Sequence, residues 1–387
     1  MSKDFNIILI SMDAVRPDHL GPYGHETIQT PNLDDIGKQG VIFDDATGTS
    51  CLTPIAHASI LSGNNPSVHR VRGPFEIVQS PMISERLKTI GYETAGFVGV
   101  GFLSHACGFA KGYNHFSEPD EMKAWGSKDY ITGGQTRKCL FGNLWPEEML
   151  GWLDKAKNKP FFVFGHYFEC HWGSEKHLLK NDLLENNYLS EFDYYDAKIE
   201  YMDKILFGPL IERLKTYGLW EKTIIVITAD HGENLGEHET LTPFYPQHRT
   251  LFECDLKIPL IIKAPTLPQN RHVKGVVRSI DIVPTLYDLL GINGKTTDGD
   301  SLIDAAHSGI CQNRIAYAEE LYEKRGRGSL QAVKSNQYKY MINRSEDSEA
   351  FFNLEEDPEE ANNLMGSLSE SQSVLLAEWR QLCDAHL

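Results

Sequence analysis

The segment FNIILISMDAVRPDHLGPYG, residues 5–24, begins with an apolar run and passes directly into polar and turn-forming residues. A second segment, TIIVITADHGENLGEH at residues 223–238, has the same organisation. The apolar residues of both are consecutive rather than alternating, which is typical of parallel strands that are buried on both faces. We expect the central strands of one sheet at five such runs: Phe5–Ser11, Thr94–Val100, Phe161–Phe168, Thr223–Thr228 and Lys257–Lys263.

Stretches with helical periodicity lie between these runs, at Ser84–Ile90, Pro146–Lys157 and Ser190–Tyr217. Strands that alternate with helices indicate the α/β class. We therefore predict a large mixed, mostly parallel sheet that is sandwiched by helices.

The pattern changes near residue 310. Short alternating strands are predicted at three places: Ile315–Glu320, Ser329–Lys334 and Tyr338–Asn343. A final helix is predicted from about Ser369. We expect residues 1–309 to form a catalytic α/β domain and residues 310–387 to form a small C-terminal subdomain with an antiparallel sheet and a helix.

Composition and charge exclude several classes of protein. The chain has 387 residues, of which 41% are hydrophobic, and a formal net charge of −17. Such a charge repels nucleic acid and anionic membranes, and the apolar runs are too short to span a bilayer. Seven cysteines without CxxC spacing and an N-terminus without a signal-peptide pattern predict a cytoplasmic protein with reduced thiols. A homo-oligomer is compatible with these features.

Candidate metal ligands follow two of the predicted strands. Asp13 follows the first strand, and Asp230 and His231 follow the strand that begins at Thr223. Functional residues of open α/β sheets gather at the carboxyl ends of strands. A single Asp there is often only a helix cap, but two carboxylates and an imidazole together suit one divalent cation.

The segment TGTSCLTPIAHASILSG, residues 47–63, offers a hydroxyl group. Thr53 followed by Pro54 is predicted to be the N-cap of a helix with Pro at its first position. One interpretation is a capped helix and nothing more. The other is that Thr53 is a nucleophile at the positive end of the helix dipole, where anions bind and a metal ion lowers the pKa of the hydroxyl.

The chain resembles the sulfatase-type members of the alkaline phosphatase superfamily over nearly its full length. The matching segments occur in the family's order and lie at residues 8–24, 30–46, 53–73, 194–206, 227–239, 248–265, 279–292 and 338–364. The resemblance implies an alkaline phosphatase-like fold, hydrolysis of a small anionic ester and a bound divalent cation.

Two departures from the family pattern concern the chemistry. Sulfatases carry Cys-x-Pro-x-Arg or Ser-x-Pro-x-Arg, whose first residue is converted to formylglycine. Counted back from Gly63, that position falls on Thr53, which cannot be converted in this way, and the arginine falls on His57. Cys51 has the wrong spacing. The resemblance therefore implies an unmodified threonine nucleophile, as in the superfamily's phosphodiesterases and phospho-transferring enzymes.

The second departure concerns the cation. Sulfatases typically have Asp-Asp after the first strand, whereas this chain has Asp13-Ala14. One oxygen ligand is lost and His231 supplies nitrogen. We expect Asp13, Thr53, Asp230 and His231 to hold one or two ions, with Mn²⁺ or Zn²⁺ favoured over Ca²⁺ or Mg²⁺.

The resemblance also implies roles for five histidines, each of which could instead be structural or a polar surface residue. His171 and His248 are expected to assist the leaving group, and the expected substrate-binding residues are His57, His166 and His238. His19 is expected to be structural, and Asp196 is expected on the solvated or capping side of a helix.

The sequence as a whole predicts a metal-dependent hydrolase of phosphodiesters or phosphonate monoesters with a threonine nucleophile. Two other enzymes stay open, a sulfatase that acts without formylglycine and a transferase that passes the phospho group to an acceptor other than water. The alternative outside the enzymes is a metal-stabilised binding protein.

Overall fold

A computed structural model of the protein describes residues 5–119, 144–171, 191–238, 250–294, 297–321 and 329–387. Within these ranges the chain forms one nine-stranded sheet and one four-stranded sheet. None of the helices in the same ranges is long and apolar enough to cross a membrane. The predicted compartment and oligomeric state stay predictions.

The large sheet is mixed and mostly parallel, which confirms the predicted class. Its strands are Asn6–Met12 (β1), Val41–Thr47 (β2), Glu93–Val98 (β3), His115–Ser117 (β4), Phe161–Tyr167 (β5), Thr223–Ala229 (β6), Lys257–Ile258 (β7), Leu260–Lys263 (β8) and Arg271–Arg278 (β9). The order across the sheet is β4-β3-β5-β1-β6-β8-β2-β7, and β9 pairs with β2. Strands β4, β3, β5, β1 and β6 run parallel, and β8 is antiparallel to both β6 and β2.

The helices of the described residues are Pro31–Lys38 (α1), Thr53–Ser62 (α2), Pro66–His69 (α3), Ile83–Thr89 (α4), Leu144–Ala156 (α5), Glu191–Met202 (α6), Gly208–Thr216 (α7), Glu253–Leu256 (α8), Ile282–Leu290 (α9), Ile303–Ser308 (α10) and Glu370–Ala385 (α11). The stretch predicted as helical over 190–217 is helical in its described residues, and a π-helical turn, Asp203–Phe207, separates α6 from α7. Pro209 follows this turn, and its missing N–H removes one hydrogen bond of a regular α-helix.

Strand β1 brings the candidate site together. All seven of its residues are buried, so both faces of the sheet are covered there. In the register of the three central strands, Ser11 of β1 lies beside His166 of β5 and Thr228 of β6. The carboxyl ends of β5, β1 and β6 therefore coincide, and Asp13 and Asp230 leave the sheet at the same edge.

The small sheet is antiparallel, as predicted. Its strands, in spatial order, are Ala316–Glu320 (β10), Leu330–Lys334 (β11), Tyr338–Asn343 (β12) and Ser348–Asn353 (β13). Three of them match the predicted runs, whereas β13 was not predicted. Ser369 caps helix α11 by accepting a hydrogen bond from the backbone N–H of Gln372 at 3.3 Å. The domain boundary at residue 310 stays a prediction.

A buried ionic network joins the two sheets. The Lys339 ammonium group on β12 lies 3.0 Å from Glu253 Oε1 of helix α8 and 2.8 Å from Glu360 Oε1. Lys334 on β11 lies 2.6 Å from Asp45 of β2 and also contacts Glu253. Burial alone would raise the pKa of Glu253, but the two lysines outweigh it and lower that pKa.

Replacement of one partner of this network should be costly. We expect Lys339→Ala to lower the free energy of unfolding by about 3–5 kcal/mol, because it leaves the buried Glu360 carboxylate without its cation and Glu253 with Lys334 alone. The matched control is Lys159→Ala, which removes a pair with Glu93 in which the Lys159 side chain is 65% exposed. That variant should lose less than about 1 kcal/mol. Urea unfolding compares the two, and equal losses would show that the network does not hold the sheets together.

Candidate active site

Asp13 is held at the end of β1 by a strained turn. The next residue, Ala14, has a φ of 59°, which costs a non-glycine residue about 1–3 kcal/mol. The Ala14 N–H donates to Asp230 Oδ1 at 3.2 Å, and the Ala14 carbonyl accepts from the Tyr195 hydroxyl at 2.6 Å. Tyr195 Oη also accepts from the Arg16 backbone N–H at 2.9 Å. These bonds fix the turn and so the direction of the Asp13 carboxylate.

The tautomer of His231 is fixed by its own loop. His231 Nδ1 lies 2.8 Å from the Gly232 carbonyl oxygen. A carbonyl only accepts, so Nδ1 carries the proton and Nε2 is the nitrogen with the lone pair. Most metal-binding histidines are oriented in this way, because the ring nitrogen that does not bind the metal donates a hydrogen bond to a neighbouring group.

Three side chains converge around His231 Nε2. This atom lies 3.9 Å from Asp13 Oδ1, 3.5 Å from Asp230 Oδ2 and 3.5 Å from Thr53 Oγ1. The two carboxylate oxygens are buried and have no hydrogen-bond partner among the described residues. Unpaired buried charges are costly, and a divalent cation at this position would remove the cost. Three oxygens and one imidazole nitrogen fit such an ion.

Protonation of this cluster is set by burial and by mutual charge. Burial, together with the neighbouring Asp230, raises the pKa of Asp13 well above its usual value. Burial acts in the same direction on Asp230, but His231, His57 and His166 outweigh it and lower the pKa of Asp230 to about 2. Burial lowers the pKa of His231, but Asp230 and Asp13 outweigh it and raise that pKa. A cation bound between these groups would favour the ionised form of both carboxylates.

Thr53 does not cap its helix, so that prediction is wrong. Helix α2 begins at Thr53, Leu52 is its N-cap, and no side chain accepts a capping hydrogen bond. The Thr53 hydroxyl points instead to the cluster, where Oγ1 lies 3.5 Å from His231 Nε2. Thr53 is 8% exposed, compared with 1% or less for Asp13 and His231. Of these three residues, it is the one most accessible to a substrate.

His57 and His166 support the cluster. His57 Nδ1 donates to the Thr53 carbonyl at 2.7 Å, and Nε2 lies 2.9 Å from Ser11 Oγ. His166 Nε2 lies 3.0 Å from Asp13 Oδ2. Burial lowers the pKa of His57 to about 3 and that of His166 to about 4, so both are neutral. The described partners of both are protein groups, and the substrate contacts expected for them stay predictions.

A second group of three residues could hold a metal ion by proximity, namely His57, His166 and Asp230. The His57 nitrogen nearest to Asp230, at 3.7 Å from Oδ2, is Nδ1. That atom carries the proton donated to Thr53, so it is not a ligand in this tautomer. The geometry thus favours one cation rather than two.

Two further predicted histidines, His171 and His238, lie outside this cluster. His171 stacks on Phe168, whose ring centre lies 6.4 Å from that of His166. His238 stacks on Phe252 at 3.7 Å, on the side of the small sheet. His248 lies outside the described residues. The catalytic roles predicted for His171 and His248 and the substrate contact predicted for His238 stay predictions.

A third group, His19, His25 and Asp196, lies at the surface. His19 Nδ1 is 2.6 Å from Asp196 Oδ1. His25 Nδ1 accepts from the Ile28 N–H at 3.2 Å, so the proton of a neutral His25 is on Nε2, which faces Asp196. The group is therefore best described as a hydrogen-bonded cluster, which agrees with the structural role expected for His19.

The family follows from comparison with known proteins. The sequence model named "Sulfatase" matches residues 5–292 of the chain. The chain belongs to the sulfatase family. A second model, named "N-sulphoglucosamine sulphohydrolase, C-terminal", matches residues 236–385. Sulfatase-family enzymes use a divalent metal ion, and the cluster around His231 contains suitable ligands for one.

Relatives cover nearly the whole protein. It is 25% identical over 445 residues to an arylsulfatase of Clostridium perfringens, which covers 94% of this chain and 90% of that protein. It is 30% identical over 480 residues to the multifunctional alkaline phosphatase superfamily protein PehA of Trinickia caryophylli, with 93% and 91% covered. Its fold matches the crystal structure of phosphonate monoester hydrolase of Agrobacterium radiobacter with a TM-score of 0.76, 20% identity and coverage of 99% and 96%. The chain is thus a sulfatase-family ester hydrolase with an alkaline phosphatase-like fold, as the resemblance implied.

The proposed ligand set can be tested by metal content. Asp230→Asn is nearly isosteric, but it removes the charge that attracts the cation. We expect this variant to fold and to lose both its metal ion and its activity, because the large core does not depend on the ion. Elemental analysis after dialysis measures the metal content, and circular dichroism shows whether the variant is folded. Asp304→Asn, at an exposed position, should keep wild-type metal content. Stoichiometric metal in Asp230→Asn would contradict the assignment.

Proposed function

We propose that this sulfatase-family hydrolase cleaves phosphodiesters or phosphonate monoesters with Thr53 as its nucleophile. One divalent cation, Mn²⁺ or Zn²⁺, is held by Asp13, Thr53, Asp230 and His231. The observation that carries the proposal is the position of the Thr53 hydroxyl, 3.5 Å from His231 Nε2 in the same cluster as the two carboxylates.

The reaction follows from this position. A bound cation supplies Lewis acidity and favours the alkoxide form of a hydroxyl group. Thr53 Oγ1 attacks phosphorus, its proton passes to solvent, and the bond to the leaving alkoxide breaks as the new P–O bond forms. A proton donor such as His171 or His248 completes the leaving alcohol. Water then hydrolyses the phospho-threonine, which releases the second product and restores Thr53.

The chemistry of the intermediate favours phosphorus over sulfur. A sulfate ester of formylglycine is released by elimination from a hemiacetal. A sulfate ester of threonine has no such route and must be hydrolysed directly. An unmodified threonine therefore suits a phosphodiester or phosphonate better than an aryl sulfate.

Sulfate ester hydrolysis is the second candidate. Sulfatase names predominate among the curated relatives, which include an arylsulfatase, a sulfatase of Formosa agariphila and a choline-sulfatase. The same nucleophile and cation would serve, with attack on sulfur in place of phosphorus. Relative rates on matched 4-nitrophenyl esters decide between the two candidates.

Substrate preference gives the first test. We expect turnover of bis(4-nitrophenyl) phosphate or 4-nitrophenyl phenylphosphonate to exceed turnover of 4-nitrophenyl sulfate by at least about a hundredfold, equivalent to about 2.7 kcal/mol. EDTA should abolish the activity, and Mn²⁺ or Zn²⁺ should restore it. A preference for the aryl sulfate, on protein whose Thr53 is unmodified, would reverse the proposal in favour of the sulfatase.

The nucleophile is tested by three variants. Thr53→Ala removes the attacking oxygen and one ligand, so activity should fall by about 10³-fold or more, roughly 4 kcal/mol of barrier. Thr53→Ser keeps the oxygen and should retain measurable activity with a less restricted rotamer. Cys51→Ala is the control from the same loop, since its thiol faces Glu320 at 4.0 Å, and it should be nearly silent. An active Thr53→Ala beside an inactive Cys51→Ala would mean that a thiol-derived group does the chemistry.

A further inference from the structure

Lys198 is a buried cation next to the candidate active site that the sequence did not single out. It lies on helix α6 and is 3% exposed. Its ammonium group donates to the His171 backbone carbonyl at 3.2 Å and lies 5.9 Å from the centre of the Tyr195 ring. A buried ammonium group is costly without compensating contacts, and these two neighbours help to hold it in place.

The helix that carries Lys198 also controls the first metal ligand. Tyr195, one turn earlier on α6, donates to the Ala14 carbonyl directly after Asp13. Lys198 donates to the backbone carbonyl of His171, which lies in the segment that follows β5. One helix therefore contacts the loops that follow two adjacent central strands, β1 and β5.

Lys198 also interacts with the acidic surroundings of the cluster. Glu233 is buried close to Asp255 and Asp13, and burial raises its pKa well above the usual value. Burial raises the pKa of both Glu233 and Asp13, and the nearby Lys198 ammonium offsets part of that rise. Helix α6 thus places this buried charge beside the segments that follow β1 and β5.

We propose that Lys198 is a positioning residue of this centre, whose ammonium group fixes the backbone at His171 and supplies a buried positive charge that favours an anionic ester. The inference rests on the proposed function, because it assumes that the cluster holds a cation and that the substrate is an anion. A fixed positive charge repels the metal ion and attracts the ester. Loss of the charge should therefore change the two affinities in opposite directions.

This opposite response distinguishes electrostatics from simple structural damage. In Lys198→Met we expect Mn²⁺ to bind the metal-free protein about tenfold more tightly, because charge interactions inside proteins are only weakly screened. The KM for bis(4-nitrophenyl) phosphate, measured at saturating Mn²⁺, should rise about tenfold. A purely structural defect would weaken both. Lys198→Arg keeps the charge and should bring both values back toward wild type.

The experiment measures the Mn²⁺ dissociation constant by calorimetry and KM and kcat by 4-nitrophenol release. Lys204→Met, at an exposed position on the following turn, makes the same change in net charge and should leave both values unchanged. If Lys198→Met does not fold, Lys198→Gln takes its place. Weaker Mn²⁺ binding, unchanged values, or no recovery in Lys198→Arg would overturn the inference. A wild-type protein that neither binds Mn²⁺ nor cleaves the diester would instead overturn the proposed function.

Discussion

The arrangement of the site depends on two carboxylate oxygens, Asp13 Oδ1 and Asp230 Oδ2, that are buried together without hydrogen-bond partners among the described residues. Like charges in a low-dielectric interior repel strongly, so the fold must hold them in place and something must neutralise them. His231 Nε2 lies within 4 Å of both. The tautomer set by the Gly232 carbonyl leaves a lone pair on that nitrogen, which is available to a cation.

The fold meets this constraint with three adjacent parallel strands. Asp13 directly follows β1, Asp230 directly follows β6, and β5 contributes His166 as a hydrogen-bond partner of Asp13. Helix α2 then brings Thr53 to the cluster, and His57 on the same helix hydrogen-bonds to Ser11 of β1. Each proposed ligand is thus attached to rigid secondary structure, which preorganises the site.

Much of this was predictable from the sequence, because strand ends and apolar runs are local signals. Asp13, Asp230 and His231 were placed by the strands that precede them, and Thr53 by its family position. The N-cap role of Thr53 was wrong, since capping depends on backbone angles that Leu52 adopts instead. Tyr195 and Lys198 were missed because their contacts, with Ala14 and His171, join segments that are far apart in sequence. No local pattern encodes such pairs.

The central claim is that one divalent cation binds between Thr53, Asp13, Asp230 and His231. Anomalous X-ray diffraction from crystals of the Mn²⁺-loaded or Zn²⁺-loaded protein tests it most directly. We expect one strong anomalous peak, with Asp13 Oδ1, Asp230 Oδ2, His231 Nε2 and Thr53 Oγ1 each at about 2.0–2.2 Å from it. A peak centred on His57 and His166, or no peak among these four residues, would contradict it.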